Sequence, residues 1–276
     1  MSFSADVKIE LSKINNLKNK QEVYAEFLGY FVSSNIQIKK NVIKFSTSNE
    51  YNINRFAKLL NNININDYKI NIVGRNYSVK FKTEENFTVN NEILREENIK
   101  RAFIRGCFLG AGSINNPRNK YHLEIIFRNE DFTKLAQDII QSFGINIKIL
   151  ENTLYMKDGE EISNFLALIG ASSAVLKFEE IRVIRDTKNK VNRLVNCETA
   201  NLNKTISASV KQIEDIKKMQ QTDKFNKMSE DLKEIAELRL KNPDATLEEL
   251  GQMLTKPIGK STVNHRFKKI SEIANS

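Results

Sequence analysis

Apolar positions recur at helical spacing through EVYAEFLGYFVSSN, residues 22–35, and then tighten into short β-branched runs in IQIKKNVIKFSTSNE, residues 36–50. The first spacing predicts an amphipathic helix and the second a pair of strands. NINRFAKLLNNI (52–63) returns to the helical period, and YKINIVGRNYSVKFKT (68–83) reads as two more strands around Gly74. The same text then starts again. IKRAFIRGCFLGAGS (99–113) is helical up to its glycines, YHLEIIFRNE a strand, DFTKLAQDIIQSF a helix, INIKILENTLYMK a hairpin and EISNFLALIG a helix.

Landmarks align between the copies. Gly29 matches Gly106 at an offset of 77 residues, and Asn49-Glu50 matches Asn129-Glu130 at an offset of 80. The expected architecture is therefore α+β: two αββαββα repeats forming a pseudo-twofold saddle, with the two leading helices packed at the symmetry axis. Gly29, Gly106, Gly110, Ala111 and Gly112 are small at spacings near three or four. Removing side-chain bulk lets two helix backbones approach, and this offsets the cost of about 1 kcal/mol that each glycine carries in a helix.

Charge changes the picture next. Lys plus Arg outnumber Asp plus Glu by 43 to 34 in 276 residues, a net +9, which favours a polyanionic partner and nucleic acid before a membrane surface. No apolar run approaches the roughly 20 residues of a membrane span, and MSFSADVKIEL has no signal-peptide core. A cytoplasmic location is expected. Cys107 and Cys197 form no CxxC pair, and His122 and His265 stand far apart, so neither a zinc site nor histidine-based catalysis is expected, and no cofactor.

The leading helices resemble the LAGLIDADG motif of homing endonucleases: an apolar residue, glycine two later, apolar residues, then Asp or Glu before a closing glycine. IRGCFLGAG supplies Ile104, Gly106, Phe108, Leu109, Ala111 and Gly112; FLGYFVSSN supplies Phe27, Gly29, Phe31, Ser34 and Asn35. The positions where the resemblance puts the metal-binding acids are Ser34 and Ala111. A hydroxyl and a methyl do not supply the anionic oxygens that Mg²⁺ needs, so a catalytically dead domain is expected.

Residues 182–218 carry nine Lys or Arg against four Asp or Glu. Val191, Leu194, Val195, Leu202 and Ile206 can form the apolar side of a helix there, while Arg193 and Lys204 sit among asparagines. Such residues either contact DNA or cap and join the flanking domains. Three helices follow: DLKEIAELRLK, then TLEELGQML opened by a Thr246/Glu249 capping box, then KSTVNHRFKKISEIA capped by Ser261. This is a helix-turn-helix arrangement, with the third helix expected in the major groove. Residues 256–269 hold five bases and no acid. Val263, Phe267 and Ile270 have core spacing, which leaves Lys260, Ser261, Thr262, Asn264, His265, Arg266, Lys268 and Lys269 as candidate DNA contacts. Thr262, His265 and Arg266 are expected near base edges, and Lys260, Lys268 and Lys269 on phosphates. A three-helix bundle that contacts proteins has the same outline.

NRLVNCETANLNKT (192–205) and GKSTVNHRFKKI (259–270) are similar to the linker signature and DNA-binding helix of the WhiA family, and the resemblance covers nearly the whole chain. It implies a non-enzymatic transcriptional or nucleoid-associated regulator of sporulation, division or chromosome segregation. It also implies double-stranded DNA as partner and, in sporulating actinomycetes, a co-regulator carrying an iron–sulfur cluster. The expected organisation is a degenerate saddle over 1–180, a basic helical linker over 181–225 and a helix-turn-helix domain over 226–276. Two other classes stay open: a metal-dependent nuclease using other acids, and a saddle that serves as a protein-interaction module.

Overall fold

The computed structural model describes residues 2–85, 87–89 and 92–276. The chain divides into two units, Met1–Asp186 and Thr187–Ser276, each with its own apolar core.

In the first unit, α1 (Phe3–Ser12) precedes the repeats. The first repeat is α2 (Lys20–Val32), β1 (Ile36–Lys39), β2 (Val42–Thr47), α3 (Glu50–Asn62), β3 (Tyr68–Val73) and β4 (Asn76–Lys82). The second is α4 (Glu97–Ala111), β5 (Gly112–Ile114), β6 (Leu123–Ile126), α5 (Glu130–Gln141), β7 (Lys148–Leu150), β8 (Thr153–Met156) and α6 (Gly159–Ile169). Both sheets are antiparallel with the same order, β1-β2-β4-β3 and β5-β6-β8-β7, so the internal repeat is a repeat of topology. The matched Asn-Glu dipeptides have a shared physical cause. Asn49 and Asn129 are the N-caps of α3 and α5, each side chain accepting from a backbone amide (Asn52 and Phe132), and the following glutamate lies at the positive end of the helix.

The symmetry is incomplete in two places. Among the described residues no helix closes the first repeat between β4 and α4, where one was expected; residues 92–94 form a turn there. Conversely, the sequence reading gave no helix to α1. Phe3, Val7 and Leu11 recur every four residues there and all are buried in the saddle core. The Glu10 carboxylate at the end of α1 accepts the backbone amides of Ser173 (2.7 Å) and Ala174 (3.0 Å), capping the next helix, α7 (Ser172–Gln220).

The α2–α4 pair sets the frame. A Cβ on Gly29 would run into the Phe103 carbonyl oxygen, and one on Gly106 into the Glu26 carbonyl oxygen. Gly110 approaches Ser33 in the same seam, whereas a Cβ on Gly112 would meet the Phe108 ring of its own helix. The small-residue stripe is thus shorter than the sequence implied: Gly112 shapes the helix end, not the crossing. Beside the crossing lies fully buried Glu26, whose carboxylate is held by Arg55 Nε (2.8 Å) and Nη2 (2.9 Å) from α3 and by Arg105 Nε (3.0 Å) from α4. Arg55 also donates to the Ile14 carbonyl and the Asn16 side chain. Burial would raise the Glu26 carboxyl, but the Arg105 and Arg55 guanidiniums reverse this and hold it below the usual carboxylate range.

The second unit combines the later part of α7 with α8 (Glu230–Lys241), α9 (Leu247–Met253) and α10 (Lys260–Asn275). Ile216 and Met219 of α7 are buried in its core with Ile235, Leu250, Leu254, Val263, Phe267 and Ile270. Residues 181–220, within the stretch expected as a linker, are therefore part of one continuous helix. Among the described residues no helix is long and apolar enough to cross a membrane.

Two stability effects are expected. Gly106→Ala forces backbone apart at the crossing and should cost about 1–3 kcal/mol, read as a lower Tm, while Gly144→Ala at an open turn with positive φ should cost less. Glu26→Gln leaves two buried guanidiniums without their counter-charge and should cost about 3–5 kcal/mol near neutral pH. Because the native carboxyl is depressed, its contribution is complete above the unfolded pKa and disappears as pH falls through the native one. The gap between wild type and variant in chemical denaturation should therefore close in acid.

Candidate nucleic-acid interface

The turn between α9 and α10 is built from specific contacts. Thr246 and Glu249 form the expected capping box at the start of α9, with bonds of 3.2 and 2.7 Å. Gly251 lets the turn fold back on α9: the Ile258 amide donates to its carbonyl, and a Cβ there would strike the Ile258 carbonyl oxygen. Glu234 of α8 accepts from both the amide (2.7 Å) and hydroxyl (2.6 Å) of Thr255, bonds that hold its carboxyl below the usual range.

Arg239, 2% exposed, closes the other turn by donating to the carbonyls of Asn242, Pro243 and Ala245 and to Gln212 of α7. Burial lowers its pKa from the ordinary arginine value, and its guanidinium lies over the Phe267 ring. The sequence reading missed this residue. Its signal was a basic residue four after Ile235, on the face that turns inward.

Val263, Phe267, Ile270 and Ala274 of α10 are buried. Lys260, Ser261, Thr262, Asn264, His265, Lys268 and Lys269 are exposed. At 100° per residue, Ser261, His265 and Lys268 fall on one line opposite the core, with Lys269 beside it. Arg266 does not join them. Its guanidinium turns toward α8, where it meets the Asp231 carboxylate and donates to the Asp231 carbonyl, both at 3.2 Å, and its side chain is only 18% exposed. The helix also starts one residue earlier than expected. Gly259 is the N-cap, with no side-chain cap bond, so Ser261 lies inside the first turn and is not the cap.

On α7, Arg193 and Lys204 are exposed. Lys204 and Lys260 line one cleft of about 230 Å³ with Thr205, Gln212 and Thr246. Arg193 lies eleven residues before Lys204, on the same side of α7 about 16 Å away along the axis. The apolar residues expected to pack as one side of this helix are solvent-exposed: Val191, Leu194, Val195, Leu202 and Ile206 each show about half or more of their surface.

At the ends of the crossing helices, Ala111 is the last residue of α4 and Ser34 follows the Ser33 C-cap of α2. What gathers there is a set of donors to the α4 carbonyls. Asn35 Nδ2 reaches Gly110 O at 2.8 Å, Asn52 Nδ2 reaches Leu109 O at 2.7 Å, and Lys8 Nζ reaches Leu109 O at 3.4 Å. Burial lowers the Lys8 ammonium to about 8. A divalent cation needs oxygen acceptors, and amide and ammonium donors do not fit it. Among the described residues no group of three or more His, Cys, Asp or Glu comes together.

Comparison with known proteins follows the same division. A family model described as the WhiA LAGLIDADG-like domain matches residues 100–188, and one described as the WhiA C-terminal HTH domain matches residues 191–274. A probable cell division protein WhiA from Clostridium novyi is 38% identical, covering 99% of this chain and 98% of its own length. Its counterpart from Clostridium tetani is 36% identical over 99% and 97%. The crystal structure of full-length DUF199/WhiA from Thermatoga maritima superposes with a TM-score of 0.61 at 27% identity, over 100% of this chain and 98% of that one. The N-terminal LAGLIDADG domain of DUF199/WhiA gives 0.53 at 28%, over 61% and 90%. Alike along its full length in sequence and fold, with a LAGLIDADG-like saddle ahead of a helix-turn-helix, the chain belongs to the WhiA family.

Proposed function

We propose that this protein is a non-enzymatic, sequence-specific DNA-binding regulator that works on the nucleoid in cell division or chromosome segregation. The observation that carries the reading is the outward face of α10, where Ser261, His265, Lys268 and Lys269 stand free of the core on a helix braced by α8 and α9. Lys260, Lys268 and Lys269 are assigned to phosphates; Ser261, Thr262, Asn264 and His265 are within reach of base edges. Arg266 is assigned to positioning: its pairing with Asp231 fixes the roll of α10 against α8. Lys204 and Arg193 extend the phosphate contact along α7. In this organisation residues 1–180 are the saddle, 181–225 a basic linker whose helix ends inside the core of the second unit through Ile216 and Met219, and 226–276 the reader. The relatives' description as probable cell division proteins supports the process. Donors at the α4 end and the loss of both acids favour binding over cleavage.

Genome-wide crosslinking tests the reading. The intact protein should give sharp peaks that share one motif, and His265→Ala with Lys268→Ala should abolish them while leaving the fold intact. Broad, motif-free coverage that survives the double change would sink it. In purified protein, Lys268→Ala should weaken binding to all duplexes alike and make the log K against log salt line shallower by about 0.9. Arg266→Ala should lower the Tm of the second unit as well as the affinity. Reproducible plasmid nicking by pure protein with Mg²⁺ or Mn²⁺ would overturn the non-enzymatic assignment.

A further inference from the structure

Arg239 is a buried cation without an anion. It is 2% exposed, and every acceptor it meets is neutral: Nε donates to Gln212 Oε1, and Nη1 to the carbonyls of Asn242, Pro243 and Ala245. Among the described residues no carboxylate pairs with it, and its Nη2 makes no hydrogen bond. Charges withdrawn from water are ordinarily paired, because desolvation without a counter-charge is expensive. Arg55 and Arg105 obey this rule by sharing Glu26. Arg239 does not. Bracing the turn between α8 and α9 calls for donors, which a neutral amide supplies without the charge.

Arg239 also lines the cleft of about 230 Å³ that Lys204 and Lys260 share. Both lysines are exposed, and neither has an ion-pair partner among the described residues. Gln212 gives its Oε1 to Arg239, which leaves its Nε2 hydrogens without a partner. Thr246 accepts the Glu249 amide, which leaves its hydroxyl proton to donate. No Asp or Glu lines the cleft; the nearby Glu249 carboxylate is bonded to the Thr246 amide. Three cations and two neutral donors fit a multiply charged anion with acceptor oxygens on every side, which is a phosphate group. A carboxylate, with one charge, would leave cations unmatched. Pockets that enclose whole small molecules begin at about 300 Å³, so this one holds the group and leaves the rest of its carrier outside.

The cleft is not the reading face of α10. At 100° per residue, Lys260 stands about 80–140° round the helix from Ser261, His265 and Lys268. It lies on the side where it meets Lys204 of α7. We propose that this cleft binds one phosphate group, carried by a small dissolved phosphomonoester, with Arg239 as its floor and Lys204 and Lys260 as its rim. The site goes beyond the DNA reading, in which the two lysines contact the backbone. An occupied cleft engages both, so ester and duplex compete for them; that competition alone rests on the reading of this chain as a DNA-binding protein.

The test titrates phenyl phosphate into the full chain, with sodium chloride holding the ionic strength constant. The phosphorus NMR resonance and the Tm of the second unit are followed. One saturable site is expected, with the Tm rising as it fills. Lys204→Ala with Lys260→Ala alters exposed side chains only. It should leave the unliganded Tm unchanged and weaken binding by about tenfold or more, the ratio for one charge-assisted hydrogen bond lost. Lys217→Ala, which removes the same charge elsewhere on α7, should leave the affinity as it is. Gln212→Glu sets a carboxylate on the guanidinium, and should raise the unliganded Tm and abolish binding. No saturable response in wild type, with Gln212→Glu still raising the Tm, makes Arg239 a brace of the turn and overturns the proposal. A response of equal size in wild type and all variants is ionic screening and overturns it too. Should the ester fail to bind while both cleft variants make the log K against log salt line for a duplex shallower, the group is a backbone phosphate and the dissolved carrier is wrong. Wild type that binds the ester and no duplex leaves the cleft standing and overturns the DNA reading.

Discussion

The structure depends on how closely α2 and α4 approach. Gly29 and Gly106 bring backbone against backbone, and the saddle's two sheets take their places from that crossing. Glycine against backbone makes no side-chain bonds, and beside Gly29 and Gly106 the buried Glu26–Arg55–Arg105 group supplies them. One carboxylate for two guanidiniums leaves a net positive charge inside, and the Arg105 Nη2 is buried without a hydrogen-bond partner. That arrangement is costly in isolation, and it is specific: it ties α2, α3 and α4 into one register that a purely apolar seam would leave free to slide.

Much of this frame was legible in the sequence, because the features that define it are local. Glycines at fixed offsets marked the crossing, and Asn-Glu pairs marked two helix starts through their capping chemistry. The helix-turn-helix followed from a capping box and from core spacing in the last helix. What was missed depends on long-range partners. Glu26 and Arg105 each interrupt an apolar run, and that interruption was the available signal; only the fold shows that they interrupt it for each other. Arg266 looked like a surface residue at helical spacing, and it is Asp231, thirty-five residues away, that draws it inward. The alternation of Lys44 and of Lys80 with apolar neighbours was visible, but their adjacency is a matter of register.

The two units use arginine and lysine differently. Arg55, Arg105 and Arg239 are interior connectors whose planar guanidiniums reach several acceptors at once. Lysines carry most of the solvent-facing charge on the first sheet and on α10. A net charge of +9 therefore overstates how diffuse the basic character is, because part of it is spent inside the folds.

The bond between Glu10 and the start of α7 gives the first residues of the chain an importance that their position conceals. Phe3, Val7 and Leu11 fill core, and Glu10 satisfies the opening amides of a helix 49 residues long. Removing these dozen residues would not take away a tail: it would take away a wall of the saddle and leave α7 frayed at its first turn, so the segment acts as a folding element.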